Sequence, residues 1–233
     1  MFGGFMEKYY KAYDKRYKQL HDNNLAWEFD VNSVIISDVL DKYKINKSSL
    51  ILEIGCGEGR DARYLLDNGY NILASDVSLE AINYCKKIDS IHFDNYCVID
   101  VLDCNIGDKF DFIYSIACLH MLVLDSDRKK FFDFIFEHLN DDGFALILTM
   151  GDGVKESSSD ISKAFDDVSR VYQQTGDVIN VAATSCRVVN FDTLFRELDV
   201  SKLIVVESGI TSIIPNFPEI MYVVVEKGDG YEN

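Results

Sequence analysis

From residue 50 the chain reads Leu50-Ile51-Leu52-Glu53-Ile54-Gly55-Cys56-Gly57-Glu58-Gly59-Arg60, with glycines at alternate positions behind a short apolar run. Glycines so placed let the backbone turn sharply and let a ligand approach it closely. Glu53 stands two residues before the first glycine. A carboxylate there opposes a pyrophosphate and suits an ammonium group. The dinucleotide fingerprint also wants Gly or Ala where Arg60 stands. Asp76 follows the loop by about 20 residues, where an acid accepts ribose hydroxyls. Its two oxygens can take both hydroxyls of a diol. Asp100 can accept the exocyclic amine of an adenine, while the amide of Val101 donates to the ring. Each acid alone can be a helix cap or a solvated strand end. Three acids at successive strand ends fit one ligand, because open α/β sheets bind ligands there. S-adenosylmethionine has the ammonium, a sulfonium and no phosphate.

The frame that positions these residues is an alternation of strand and helix. Leu50–Leu52 reads as a buried strand, and Arg60–Asn68 as a helix closed by Gly69. Asn71–Ser75 is a strand, and Ser78–Lys87 a helix with Ser78 as N-cap. Tyr96–Ile99 and Phe110–Ser115 are strands, Asp127–Leu139 a helix, Gly143–Met150 a strand. This order predicts a doubly wound, mostly parallel seven-stranded α/β sheet. Leu203–Glu207 and Met221–Glu226 are joined by Gly209–Pro218, too short for a crossover helix, so they predict an antiparallel hairpin at the sheet edge.

Ahead of the frame, residues 2–20 look helical and aromatic (Phe5, Tyr9, Tyr10, Tyr13, Tyr17), and Val31–Tyr43 is an amphipathic helix. Residues 151–187 are irregular and read equally as an insertion over the carboxyl edge of the sheet or as a solvated excursion. One domain is expected over 1–233: a helical lid (1–45), a ligand-binding core (50–150), an insertion (151–190), then a helix and edge hairpin (191–228).

The chain has 233 residues, 48% of them hydrophobic and 27% charged, which suits one buried globular domain and excludes disorder. Its formal charge is −16, and no basic run is visible, so nucleic acid is a poor partner. No stretch reaches the ~18 apolar residues of a membrane span, and no signal peptide is visible. The six cysteines include no C-x-x-C pair and no zinc spacing. Reduced, buried thiols and a cytoplasmic location are the expectation, with no metal site.

Taken together, the glycine loop, the acids at the strand ends, Phe110-Asp111-Phe112-Ile113-Tyr114-Ser115 and Leu119-His120-Met121-Leu122 resemble the class I, Rossmann-like S-adenosylmethionine-dependent methyltransferases. The resemblance runs from about Leu50 to Met150 and is nearly silent on the substrate. It implies that Glu53 to Gly59 wrap the methionine part, that Asp76 holds the ribose with Val77 against the adenine, and that Asp100 and Val101 read the adenine edge. It implies that the backbone at Ser115 meets the ammonium. Tyr13-Asp14 is similar to a motif of the family's N-terminal helix. The expected cofactor set is Tyr13, Glu53, Gly55, Cys56, Gly57, Gly59, Arg60, Asp76, Val77, Asp100, Val101, Ser115 and Ile116. S-adenosylhomocysteine would be the product.

Methyl transfer from a sulfonium is an in-line displacement, accelerated by alignment. A base is needed only where the acceptor loses a proton at the transition state. His120 is the candidate base, weighed against a packing role. Tyr9, Tyr10, Tyr13 and Trp27 are candidate lid residues, since π faces attract a sulfonium. Tyr172 and Arg187 are candidate substrate contacts, with a surface role equally open. No (N/D)-P-P-(Y/F) segment follows the fourth strand and no Pro-Cys dipeptide occurs, which disfavours DNA methylation. The expected acceptor is a small molecule, neutral or cationic given the acidic surface, and the expected state a monomer or homodimer. The rivals are a nucleotide-dependent dehydrogenase, opposed by Glu53 and Arg60, a non-catalytic cofactor sensor or partner subunit, and a protein or tRNA methyltransferase.

Overall fold

The computed structural model describes residues 8–27, 31–172, 174–211 and 220–228. Phe5 and most of the Gly209–Pro218 connection lie outside them. A 3-10 turn (Tyr9–Lys11) leads into α1 (Ala12–His21), followed by α2 (Val34–Lys42). Then come β1 (Leu50–Ile54), α3 (Arg60–Asp67), β2 (Asn71–Asp76), α4 (Leu79–Ile88), β3 (Tyr96–Val98), β4 (Phe110–Ile116), α5 (Asp125–His138) and β5 (Leu139–Met150). The insertion holds β6 (Ser157–Ser158), β7 (Asp167–Val171), β8 (Val178–Ala182) and β9 (Arg187–Val188). It is followed by α6 (Phe191–Val200), β10 (Leu203–Thr211) and β11 (Ile220–Lys227).

Local chemistry sets several boundaries. The Ser78 hydroxyl accepts from the Ala81 amide at 3.1 Å and caps α4. Asn190 caps α6 in the same way through the Thr193 amide, at 2.8 Å. The helix expected from Val31 begins only at Val34, and Val31 is exposed. The helix expected from Asp127 begins earlier, at Asp125, where acids suit a helix N-terminus.

Seven strands form one sheet in the order β10-β11-β5-β4-β1-β2-β3. β5, β4, β1, β2 and β3 run parallel, and β11 is antiparallel to both of its neighbours. The expected hairpin is present, with its second strand inside and its first strand forming the edge. Alternate residues of each strand point to opposite faces. Leu52, Ile54, Ile113, Ala145 and Ile147 meet α5 and α6 on one side. Ile51, Phe112, Tyr114, Leu146 and Leu148 meet α2 and α3 on the other. Burial on both faces explains why these strands read as unbroken apolar runs.

The insertion is not solvated throughout. β7 and β8 form a two-stranded ribbon that is pinned to α1. The Ala182 carbonyl accepts from Arg16 Nε at 2.8 Å, and the Ala182 amide donates to Gln19 Oε1 at 2.6 Å. Among the described residues, no helix is long and apolar enough to cross a membrane.

Candidate active site

A cavity of about 730 Å³ opens at the carboxyl ends of β1, β2 and β4, roofed by α1 and the β7–β8 ribbon. Its floor is the turn between β1 and α3. Gly55 has φ +77°, and a Cβ there would lie 2.8 Å from Cys118 Cβ and Sγ. Gly57 has φ +54°, and the Tyr17 hydroxyl sits 2.7 Å from where its Cβ would be. Only glycine fits both the conformation and the space. At these two positions the floor is bare backbone.

Carboxylates line the sheet side: Glu53, Glu58, Asp61, Asp76 and Asp100. Glu53 is 3% exposed, and its Oε2 makes no hydrogen bond to any described residue. Burial, then the charge of Asp61, pushes its carboxyl up to about 8, against the opposing pull of Tyr114 and Arg60. A buried acid in this condition lacks a cationic partner. Asp76 takes the Gly57 amide on Oδ2 at 2.9 Å and the Ser78 amide on Oδ1 at 2.8 Å. Burial raises its pKa despite those two donors. Each of its oxygens retains a lone pair for a hydroxyl.

Asp100 lines the cavity, but its carboxylate is engaged. It accepts from Tyr10 at 3.1 Å and pairs with Lys8 at 3.4 Å and Lys11 at 3.1 Å. Burial works to raise its pKa; the Lys11 hydrogen bond and the charges of Lys11 and Lys8 outweigh that and lower it. The side chain fastens the N-terminal segment to the sheet edge, and Val101 lines the cavity beside it.

Of the expected cofactor residues, Tyr13, Glu53, Gly55, Cys56, Gly57, Arg60, Asp76, Val77, Asp100, Val101 and Ile116 meet at this cavity. Gly59 and Ser115 do not line it. Gly59 faces Cys85 and Tyr96 on the α4 side. Ser115 is fully buried, and its hydroxyl donates to the Ile54 carbonyl at 2.9 Å. Arg60 points its guanidinium at Asp61 and Ser33, both at 2.7 Å.

His120 lines the cavity at 4% exposure. Burial, then the nearby Arg128 charge, lowers its pKa to about 4. It is a neutral imidazole at neutral pH. Arg128 itself is fixed by a bidentate pair with Glu197, at 2.8 and 2.6 Å, and donates to the Leu119 carbonyl at 3.2 Å. That brace holds the 119–121 turn, and so His120, against α5 and α6.

Tyr10, Tyr13 and Trp27 line the cavity, and Tyr9 does not. Tyr9 instead donates to Asp127 at 2.7 Å and accepts from the Val123 amide at 2.9 Å. Neither of the two substrate-contact candidates lines the cavity. Tyr172 donates to the Ala26 carbonyl at 2.6 Å and packs on Trp27. Arg187 donates to the Val123 carbonyl at 2.9 Å and pairs with Asp125.

Sequence reasoning missed Arg16, Asp61, Cys118, Arg170, Thr184, Ser185 and Cys186 in the wall. Arg16 carried a signal, standing one helical turn after Tyr13. Cys118 read as a core thiol but abuts Gly55. Asp61 stands in the first turn of α3, beside the loop that the motif covered; the rest lie in or beside the ribbon, whose placement depends on long-range pairing that no local pattern reveals.

Comparison with known proteins agrees with this geometry. Residues 52–145 match the methyltransferase domain family. Over 120 residues the chain is 29% identical to the probable S-adenosyl-L-methionine-dependent methyltransferase TehB of Haemophilus influenzae, covering 50% of this chain and 41% of that protein. The chain thus spans less than half the length of that curated relative. Among solved structures, a Clostridium acetobutylicum S-adenosylmethionine-dependent methyltransferase superposes with TM-score 0.66 at 17% identity, covering 95% of this chain and all of that one. The Burkholderia thailandensis 1,6-didemethyltoxoflavin-N1-methyltransferase, solved with 1,6-didemethyltoxoflavin and S-adenosylhomocysteine, gives 0.68 at 17% identity, covering 98% of this chain and 94% of that one. The fold is the Rossmann-like methyltransferase fold. Within it, the chain is similar to S-adenosylmethionine-dependent methyltransferases, the match to a methyltransferase domain spanning residues 52–145.

Proposed function

We propose that this protein transfers a methyl group from S-adenosylmethionine to a small-molecule acceptor. The observation that carries the reading is the buried carboxyl of Glu53, whose Oε2 makes no hydrogen bond to any described residue, beside the glycines of the floor. An ammonium-bearing ligand supplies the missing cation. Asp76 fits the ribose hydroxyls, and Val77 with the Val101 backbone fits the adenine. Because Asp100 is held by lysines, the Val101 amide is the better adenine contact. The bound cofactor supplies an electrophilic methyl group on sulfur.

The chain's own contribution is alignment and exclusion of water. Tyr10, Tyr13, Tyr17 and Trp27 close the cavity on the α1 side. With a pKa of about 4, His120 is a weak base. Its reading here is a hydrogen-bond acceptor that orients an O–H or N–H of the acceptor. A small acceptor suits a cavity of about 730 Å³, and the neighbour solved with 1,6-didemethyltoxoflavin supports the same class.

Calorimetric titration of S-adenosylhomocysteine, NAD and NADP into wild type and Asp76→Ala tests the cofactor assignment. The expected result is S-adenosylhomocysteine binding that the variant loses and no binding of the nicotinamide cofactors. Binding of NAD, or none by folded wild type, would overturn it.

A further inference from the structure

The cavity is electrically two-sided. Acids line the sheet side, while the roof carries Arg16 on α1, Arg170 on β7, and Ser185 just past β8. Arg16 is 8% exposed. Its Nε is spent on the Ala182 carbonyl and its guanidinium lies 5.3 Å from the centre of the Tyr13 ring. Its Nη2 is buried and makes no hydrogen bond to any described residue, and the same is true of the buried Ser185 hydroxyl.

Neither Arg16 nor Arg170 pairs with an acid among the described residues, in a chain with 39 acids against 23 lysines and arginines. Arg60, Arg128 and Arg187 each take a carboxylate. Burial lowers the pKa of Arg16; Tyr13 works against that shift, and the charge of Arg170 adds to it. Two cations therefore line the same wall without a carboxylate partner among the described residues, and an anion would relieve their repulsion.

We propose that Arg16, Arg170 and Ser185 form an anion subsite that holds a carboxylate, or an oxyanion of like shape, on the methyl acceptor. The proposal rests on the methyltransferase reading above. It replaces the neutral or cationic acceptor expected from net charge. Guanidinium forks match carboxylates in geometry, and hydrogen bonds to charged groups are the strong ones. All three donors lie outside residues 52–145, the part shared with the methyltransferase domain family. They belong to α1 and the insertion, which roof the cavity opposite the glycine floor. A carboxylate could also come from the methionine end of the cofactor, and the test separates the two sources.

Benzoate and its neutral analogue benzamide are titrated into protein saturated with S-adenosylhomocysteine and into cofactor-free protein. Wild type is compared with Arg170→Ala, Ser185→Ala and Arg16→Lys. Arg170 is exposed on a surface ribbon, so its removal spares the fold should Arg16→Lys fail to fold. Benzoate should bind the S-adenosylhomocysteine complex in clear preference to benzamide. Arg170→Ala should weaken benzoate about tenfold and leave S-adenosylhomocysteine affinity intact. Equal binding of the two probes, or none to the complex, would overturn the proposal. So would displacement of benzoate by S-adenosylhomocysteine together with weaker cofactor binding in Arg170→Ala, which would give the subsite to the cofactor. Failure of folded wild type to bind S-adenosylhomocysteine is a separate result and sinks the underlying reading.

Discussion

A carboxyl group that stays protonated up to about pH 8, as Glu53 does, is an anion only when a cation arrives. Its folded pKa lies above the unfolded value of about 4.3, so the folded state binds its proton more tightly. The stability this confers is complete below about pH 4 and is lost as pH rises toward 8. Ammonium binding favours the ionised form and must expel the proton. S-adenosylhomocysteine affinity should therefore rise between about pH 6 and 8, with proton release on binding. Calorimetry in two buffers of different ionisation enthalpy reads that release directly. Glu53→Gln should abolish the release, weaken the cofactor, and make the cofactor-free protein more stable than wild type near pH 8. Wild-type binding without proton release would remove Glu53 from the ammonium site. The spacing of Glu53 before the glycines was legible in the sequence. Its protonation was not, because that depends on Asp61, Tyr114 and the depth of burial.

At the scale of the element, the β1–α3 turn can be tested by steric contrast. Gly55 and Gly69 share a positive φ, +77° and +81°. A Cβ at Gly69 would meet nothing closer than a Lys47 side chain at 3.8 Å, whereas one at Gly55 would meet Cys118 at 2.8 Å. Gly69→Ala should cost only the left-handed strain, about 1–2 kcal/mol. Gly55→Ala should cost that plus the displacement of β1 from the 118 turn, and it should also weaken S-adenosylhomocysteine, which Gly69→Ala leaves alone. Denaturant melts and calorimetry on both variants measure the contrast, and equal losses would mean that the turn yields freely. The parallel frame was legible because each strand is an apolar run and each helix has its own period. The ribbon was not, since Asp167–Val171 and Val178–Ala182 are half-exposed and take their place only by meeting α1. Arg187 stayed open for a related reason: an arginine beside an insertion reads equally as a ligand contact or a surface residue, and only the fold brings it to Asp125 and the Val123 carbonyl.

For the whole molecule, the formal charge of −16 acts over distances at which individual side chains are not distinguished. If the roof arginines form the proposed subsite, an anionic ligand is repelled by the surface on approach and held by them on arrival. Salt acts on the two stages differently. The long-range field is screened, with a Debye length of about 8 Å at 0.15 M, while contacts inside the cavity are shielded much less. The association rate of benzoate with the S-adenosylhomocysteine complex should therefore rise about two- to tenfold between ~0.01 and ~0.15 M salt, with the dissociation rate nearly unchanged. Benzamide, carrying no charge, should show no such dependence. The chain's single tryptophan, Trp27, lines the cavity, so stopped-flow fluorescence reads the encounter without a label. Benzoate association that slows with salt would mean that the arginines set the field well beyond the cavity mouth, and that the acidic surface does not govern which ligands reach the site.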